Sequence, residues 1–137
     1  MATITVENVT NAPIERVWSV WTEPTYIVKW CHASDDWEAP HAENDLRVGG
    51  VFTIIMAAKD GSSRFDFTGT YTGIVRHERI EYTMTDGRKV SVRFENLHGS
   101  VKVTETFEAE TTHSIDQQRV GWQAILDNFK KCVESAG

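Results

Sequence analysis

One acidic residue stands in an apolar position of a predicted strand. Glu105 has the same alternating phase as Val103 and Phe107, so the three share one face of that strand. If this face is the inner one, the carboxyl enters an apolar space, where it would carry a raised pKa and could act as an acid, a base or a ligand anchor. Two alternatives stay open at this point: an ion pair with Arg88, or a β-bulge that turns Glu105 outwards.

The other reactive residue types form no recognised catalytic or metal-binding pattern. The chain has no G-x-S-x-G, no H-E-x-x-H and no phosphate-binding loop. We interpret Cys31 and Cys132 as two reduced, partly buried thiols, since they lack metal spacing. We assign no catalytic residue, no metal and no cofactor. A predicted polar loop contains four residues of types that bind metals, but it holds them at no defined spacing, so we assign no metal site to them: His32, Asp35, Asp36 and His41.

Length and charge narrow the class of function. The chain has 137 residues and a net charge of −6, and we expect one domain over residues 1–137. Nucleic acids and anionic membranes reward clustered Lys and Arg, so we expect neither as a partner. No apolar run approaches the length of a membrane span, and the N-terminus lacks the features of a secretion signal. We therefore expect a cytoplasmic location.

The elements that must position these residues follow from hydrophobic periodicity. Residues 3–9 alternate as a first strand, and two short helices follow, starting at Pro13 and Pro24. From about residue 34 the period changes to two, and turn signals separate about six or seven antiparallel strands. The sharpest signal, Asp86-Gly87, predicts a two-residue hairpin loop with a primed turn.

A long amphipathic helix ends the chain. Ser114 and Gln117 fit a capping box at its start, and the helix is predicted over residues 115–134. Such a helix must bury its apolar stripe, and the inner face of the sheet is the large apolar surface available. We predict an α+β fold in which a curved antiparallel sheet is wrapped around this helix, with a ligand-sized cavity between them. The predicted stripe is Gln118, Trp122, Ile125, Phe129 and Val133.

Several motifs also resemble a known family. They include Arg16-Val17-Trp18, Asp45-Leu46-Arg47-Val48-Gly49-Gly50, Phe67-Thr68-Gly69-Thr70-Tyr71 and Gly121-Trp122. Their order along the whole chain resembles the START-like SRPBCC superfamily, in particular small bacterial members of the branch named after the activator of heat shock protein 90 ATPase. The resemblance implies a helix-grip (Bet v-like) fold whose cavity binds lipids, hormones or polyketides in relatives, some of which catalyse cyclisation or ring hydroxylation. It also implies a chaperone as a further kind of partner.

Ligand pockets are lined mainly by apolar and aromatic groups with a few polar ones. We favour binding of a small hydrophobic molecule, lipid-, polyketide- or flavonoid-like, over catalysis. The alternatives are a cyclase- or hydrolase-like enzyme using Glu105, and a module that modulates a chaperone ATPase. Gln118 could equally cap the open end of the sheet, and the aromatic residues could fill the cavity themselves. The predicted ligand contacts are Trp30, Phe52, Phe67, Tyr71, Tyr82, Arg88, Phe94, Glu105, Gln118 and Trp122.

Overall fold

The computed structural model describes residues 2–135, which contain seven strands and three helices joined by loops. The helices are α1 (Ile14–Thr22), α2 (Pro24–Trp30) and α3 (Ile115–Ser135). The strands are β1 (Thr3–Thr10), β2 (Trp37–Asn44), β3 (Val51–Ala58), β4 (Arg64–Val75), β5 (Arg79–Met84), β6 (Lys89–Asn96) and β7 (Val101–Glu108). They form one antiparallel sheet in the order β1-β7-β6-β5-β4-β3-β2, curled into a half-barrel around α3. The predicted helix-grip fold is confirmed.

The concave face of the sheet buries one side of α3. Phe129 and Val133 of the predicted stripe are fully buried, whereas Trp122 and Ile125 are only partly buried because they border open space. Leu126 is 1% exposed, although the predicted stripe omits it. It lies four residues after Trp122 and three before Phe129, so it belongs to the same helical ridge.

Hydrogen bonds fix the start of α3 and clamp the helix to the sheet. The capping box is confirmed: Gln117 N donates to Ser114 Oγ (3.1 Å), and Ser114 N donates to Gln117 Oε1 (3.2 Å). Further along, Gln123 Nε2 donates to Glu7 O (3.1 Å), and Asn8 Nδ2 donates to Leu126 O (3.0 Å). Because β1 is an edge strand, the first of these contacts gives a partner to a backbone carbonyl on the open edge of the sheet.

Aromatic side chains fill the end of the concave face that α1 and α2 cover. The ring of Trp21 lies 4.9 Å from that of Phe129 and 5.8 Å from that of Phe94. Trp30 also contacts Phe129 (5.0 Å), and Trp18 contacts Phe94 (5.4 Å). Edge-to-face pairs of this kind add stability beyond the area they bury, so this end is closed by a packed aromatic core.

The hairpin between β5 and β6 differs from the prediction. Gly87 N donates to Met84 O (2.9 Å), and Met84 N donates to Arg88 O (2.8 Å). In this loop only Gly87 has a positive φ, of 91°. The loop therefore has three residues, a β-turn followed by a left-handed glycine, and the predicted two-residue primed turn is wrong. Asp86 Oδ1 accepts a hydrogen bond from Arg88 N (3.1 Å), which stabilises this turn without a positive φ at Asp86.

Gly69 in β4 is packed beneath two aromatic rings. A Cβ atom at this position would lie 2.6 Å from Phe52 Cε2 and 2.9 Å from Tyr82 Cδ2, both in the core. We expect Gly69→Ala to lower the free energy of unfolding by about 1–3 kcal/mol, because these rings must move. The matched control is Gly121→Ala in α3, where a Cβ atom meets nothing within 4 Å and helix propensity favours Ala by about 1 kcal/mol. Urea denaturation measures both, and equal stability of the two variants would contradict the packing.

Candidate functional site

A small, partly enclosed cavity lies between α3 and the concave face of the sheet. Its volume, about 50 Å³, suits a few water molecules, since one occupies roughly 10–15 Å³ on this measure. It is much smaller than the ligand-sized cavity predicted from the sequence, because the protein's own aromatic side chains occupy most of the concave face. The wall consists of Trp21, Ile27, Trp30, Cys31, Phe52, Ile54, Phe67, Tyr71, Ile80, Tyr82, Glu105, Ile125 and Leu126.

A wider cleft opens beside this inner cavity, between the first half of α3 and strands β3, β4 and β5. Its volume of about 410 Å³ lies in the range of small-molecule sites. Phe67 and Ile125 line both spaces, and we call this shared part of the wall the partition. The rest of the wall of this outer cleft is Met56, Phe65, Asp66, Thr68, Met84, Thr85, Asp86, Arg88, Glu110, His113, Gln118 and Trp122.

Glu105 points into the inner cavity. In the regular ladder of β7 it lies opposite Val6 of β1 and Val92 of β6, both buried, and only 6% of it is exposed. No register shift interrupts the pairing of β7 with either neighbour, so the outward bulge considered from the sequence does not occur. Arg88 is engaged elsewhere, since its Nε donates to Asp86 Oδ2 (2.7 Å). The carboxyl therefore enters the apolar space without an ion pair to Arg88.

Burial alone raises the pKa of Glu105 to about 8, and no hydrogen bond or ion pair within residues 2–135 offsets this effect. Three other ionisable groups share the cavity wall: Cys31, Tyr71 and Tyr82. Burial, with the charge of Glu105 as the second cause, raises the pKa of the Cys31 thiol to about 12 and that of Tyr82 well above its usual range. Near pH 7 the cavity is thus lined by three protonated, uncharged groups that can donate hydrogen bonds to a ligand: Glu105, Cys31 and Tyr82.

Tyr71 and Trp30 already use their polar atoms within the protein. Tyr71 Oη donates to Asn44 Oδ1 (2.6 Å), and Asn44 Nδ2 donates to Thr22 O (2.7 Å), which ties β4 and β2 to the end of α1. Trp30 Nε1 donates to Val20 O (2.9 Å). Both side chains therefore offer the cavity apolar surface, and burial raises the pKa of Tyr71.

Gln118 holds the loop before α3 in place. Its Oε1 accepts from Glu110 N (2.9 Å), while its Nε2 donates to Glu110 O (3.1 Å) and His113 O (3.0 Å). The amide is thus occupied by backbone groups of residues 110–113, which supports a role in capping this end of the sheet over one in orienting a ligand. Its side chain still contributes to the wall of the outer cleft.

The structure distributes the predicted ligand contacts over two spaces. The inner cavity brings together Trp30, Phe52, Phe67, Tyr71, Tyr82 and Glu105, and the outer cleft is lined by Phe67, Arg88, Gln118 and Trp122. Phe94 lines neither space, because it packs against Trp18 and Trp21 at the closed end.

Seven residues of the cavity wall are absent from the contacts predicted from the sequence: Trp21, Ile27, Cys31, Ile54, Ile80, Ile125 and Leu126. Ile125 and Trp21 stand in the apolar stripes of their helices, which is the signal that could have identified them. Cys31 follows α2 directly, and nothing in the sequence indicates that its thiol shares a cavity with Glu105.

Among residues 2–135, no group of three or more His, Cys, Asp or Glu side chains is arranged to hold a metal ion. His41 instead lies 3.3 Å from Glu43 on the exposed surface of β2. None of the helices in the described part of the chain combines the length and the apolar character needed to span a bilayer.

The family model described as activator of Hsp90 ATPase homolog 1-like protein matches residues 11–134. The chain belongs to this family. The resemblance noted in the sequence to activator of Hsp90 ATPase homologue-like proteins of the START-like SRPBCC superfamily is thereby confirmed. No functionally curated protein matches the chain.

Solved structures of bacterial proteins support the assignment to the activator of Hsp90 ATPase homolog 1-like family. A protein of this type from Aeromonas hydrophila is 48% identical, with a TM-score of 0.93 over 99% of this chain and 94% of that one. A protein from Cytophaga hutchinsonii is also 48% identical, with a TM-score of 0.84 over 98% and 93%. One from Chromobacterium violaceum is 26% identical, with a TM-score of 0.87 over 98% and 99%.

The raised pKa of Glu105 predicts a specific dependence of stability on pH. Its pKa is about 8 in the folded chain against an ordinary 4.5, so between these values the folded state holds a proton that the unfolded chain has lost. The contribution of Glu105 to the free energy of unfolding is therefore intact below pH 4.5. It declines by about 1.4 kcal/mol per pH unit as the pH rises towards 8.

Glu105→Gln removes this dependence because the amide does not titrate. We expect the variant to gain stability relative to the natural protein as the pH is raised from 5 to 8. Urea denaturation of both proteins at each pH measures the difference. A difference that stays constant across this range would contradict a buried, unpartnered carboxyl.

Proposed function

We propose that the protein binds a small hydrophobic molecule, lipid-, polyketide- or flavonoid-like, in the outer cleft, with one end reaching the inner cavity. The observation that carries the proposal is the arrangement of the two spaces. A cleft of about 410 Å³ adjoins a partly enclosed cavity of about 50 Å³, and the side chains of Phe67 and Ile125 line both spaces. The inner cavity has a mainly apolar wall, as small-molecule sites usually do, and the outer cleft adds polar side chains beside its apolar ones.

The wall of the outer cleft combines a rigid part with an adaptable part. Trp122 stacks on Phe107, with ring centroids 3.8 Å apart and an angle of 11° between the planes, so its orientation is fixed before any ligand binds. Met56 and Met84 line the opposite side, and their flexible side chains can adjust to ligands of different shape. This combination suits a hydrophobic ligand of moderate size.

The partition is the part of the wall that a ligand has to displace. Phe67 and Ile125 are partly exposed, whereas neighbouring core residues such as Phe129 are fully buried. Phe67 meets Phe52 (5.5 Å between centroids) and Trp122 (6.2 Å), so a turn of its ring changes the opening between the two spaces. Rotation of these side chains is thus the route that we propose for a ligand to reach the inner cavity.

Filling the partition tests this proposal. We expect Ile125→Trp to weaken binding by about tenfold or more, since the indole would occupy the passage between the spaces. The matched control is Val120→Trp in the same helix, where the side chain is 69% exposed and affinity is expected to stay unchanged.

Changes in amide chemical shifts during titration with flavonoids, aromatic polyketides and fatty acids measure the affinity of both variants. In the natural protein, the shifts should concentrate around Phe67 and Trp122. Urea denaturation confirms that each variant is folded. Equal affinities of the two variants, or no localised shifts across the whole panel, would count against a ligand in this cleft.

Catalysis on a ligand of the same class is a second candidate, favoured by one observation. The pKa of Glu105, about 8, lies close to neutral pH, which suits a group that transfers a proton. Burial raises the pKa of the neighbouring Cys31 thiol, so that thiol is not an activated nucleophile. Binding is therefore our leading proposal. A ligand identified by titration can be tested for turnover, which Glu105→Gln should abolish if Glu105 transfers the proton.

The family description brings modulation of the Hsp90 ATPase as a further candidate, supported by family membership alone. An ATPase assay with and without this protein tests it, and our binding proposal predicts an unchanged rate. We also propose a cytoplasmic location, which the two free cysteines, Cys31 and Cys132, support because thiols stay reduced there.

A further inference from the structure

We propose that the ligand carries a small ammonium group and that this group occupies the inner cavity beside Glu105. The inference rests on the proposed binding function and narrows its ligands to hydrophobic amines. Three features of the described residues support it: the isolation of the Glu105 carboxyl, the aromatic wall around it and the charge of the cleft that leads to it.

Among residues 2–135, Glu105 supplies the one carboxyl in the wall of the inner cavity, and no Lys, Arg or His lines that wall. Glu105 is 6% exposed and faces the cavity without a hydrogen bond or ion pair within residues 2–135. A buried carboxyl without a partner costs free energy, and a cation placed beside it removes that cost. A ligand ammonium would supply the partner that the protein does not.

The wall around the carboxyl is unusually rich in aromatic rings for so small a space. Aromatic cages are a recurrent means of binding ammonium ions, since the negative face of each ring attracts the cation. The volume of about 50 Å³ limits the group to the size of a few water molecules, which an ammonium fits. The rings belong to Trp21, Trp30, Phe52, Phe67, Tyr71 and Tyr82.

The outer cleft is negatively charged on balance. Its wall carries Asp66, Asp86 and Glu110 against Arg88 as the permanent cation. Arg88 is paired with Asp86 (2.7 Å), so it is not free to attract an anionic ligand. With a net charge of −6 on the whole chain, the field favours the entry of cations and opposes that of carboxylates.

Whether binding releases a proton depends on which groups in the cavity wall hold protons before the ligand arrives. Cys31, Tyr82 and Tyr71 all have a pKa raised above the usual range, so they stay protonated near neutral pH. When an ammonium binds, it keeps its own protons, and the Glu105 carboxyl releases its proton to the buffer. A neutral ligand leaves that carboxyl protonated and releases nothing.

Three ligands with the same tail test the inference on the natural protein: 4-phenylbutylamine, 4-phenylbutan-1-ol and 4-phenylbutyrate. Isothermal titration at pH 7, in buffers with different heats of ionisation, gives affinity and proton release together. We expect the amine to bind about tenfold tighter than the alcohol, with release of about one proton, and the carboxylate to bind weakest. The alcohol should release no proton.

Glu105→Gln should remove the preference for the amine and its proton release, while binding of the alcohol stays within about twofold. The matched control is Glu95→Gln in β6, an exposed carboxyl outside both spaces, which should change neither ligand. An alcohol that binds as tightly as the amine, or a preference that survives Glu105→Gln, would overturn the ammonium inference.

The test also separates this inference from the binding proposal. If the alcohol shifts the amides around Phe67 and Trp122 and the amine has no advantage, the ammonium inference fails and the binding proposal stands. If none of the three compounds binds, and the flavonoid, polyketide and fatty-acid panel also fails, both are wrong.

Discussion

A helix of 21 residues with one apolar side is stable only when that side is covered, and the concave face of the sheet covers it. The rest of the molecule is arranged around this contact. Strand β1 supplies backbone carbonyls to Gln123 and Lys130 of the helix, which links the edge of the sheet to the helix that it encloses. Because α3 is the roof of both the inner cavity and the outer cleft, the same contact defines where a ligand can lie.

The two ends of the half-barrel are closed in different ways, and this difference locates the site. At one end, α1 and α2 bring Trp18, Trp21 and Trp30 against Phe94 and Phe129, and the aromatic rings leave no wide opening. At the other end, the loop held by Gln118 lies beside the outer cleft, which remains open. The asymmetry follows from the chain order, since both short helices come directly after β1.

The sequence predicts the sheet, the helices and the direction of Glu105 well, because these depend on local periodicity and on turn residues. The phase of β7 alone places Glu105 with Val103 and Phe107, and the structure has them on one face. The volume of the inner cavity cannot be predicted from local periodicity, because it depends on how far the sheet curls and on how side chains from distant elements meet. Phe94 has the inward phase as predicted, yet it lies at the closed end, which alternation cannot reveal. The nearness of Cys31 to Glu105 likewise depends on tertiary packing.

Glu105 is the position at which the local rules for a buried strand are broken. Val6 and Val92 are its partners on the two neighbouring strands, and an apolar residue would fill the same place without the cost of burying a carboxyl. Natural proteins keep such violations mainly at functional sites, where a ligand or a reaction uses the group. The carboxyl also directs its charge into the cavity, whereas Arg88 and Gln118 at the mouth are occupied by other protein groups. A function that depends on the interior of this fold therefore depends on what Glu105 meets there.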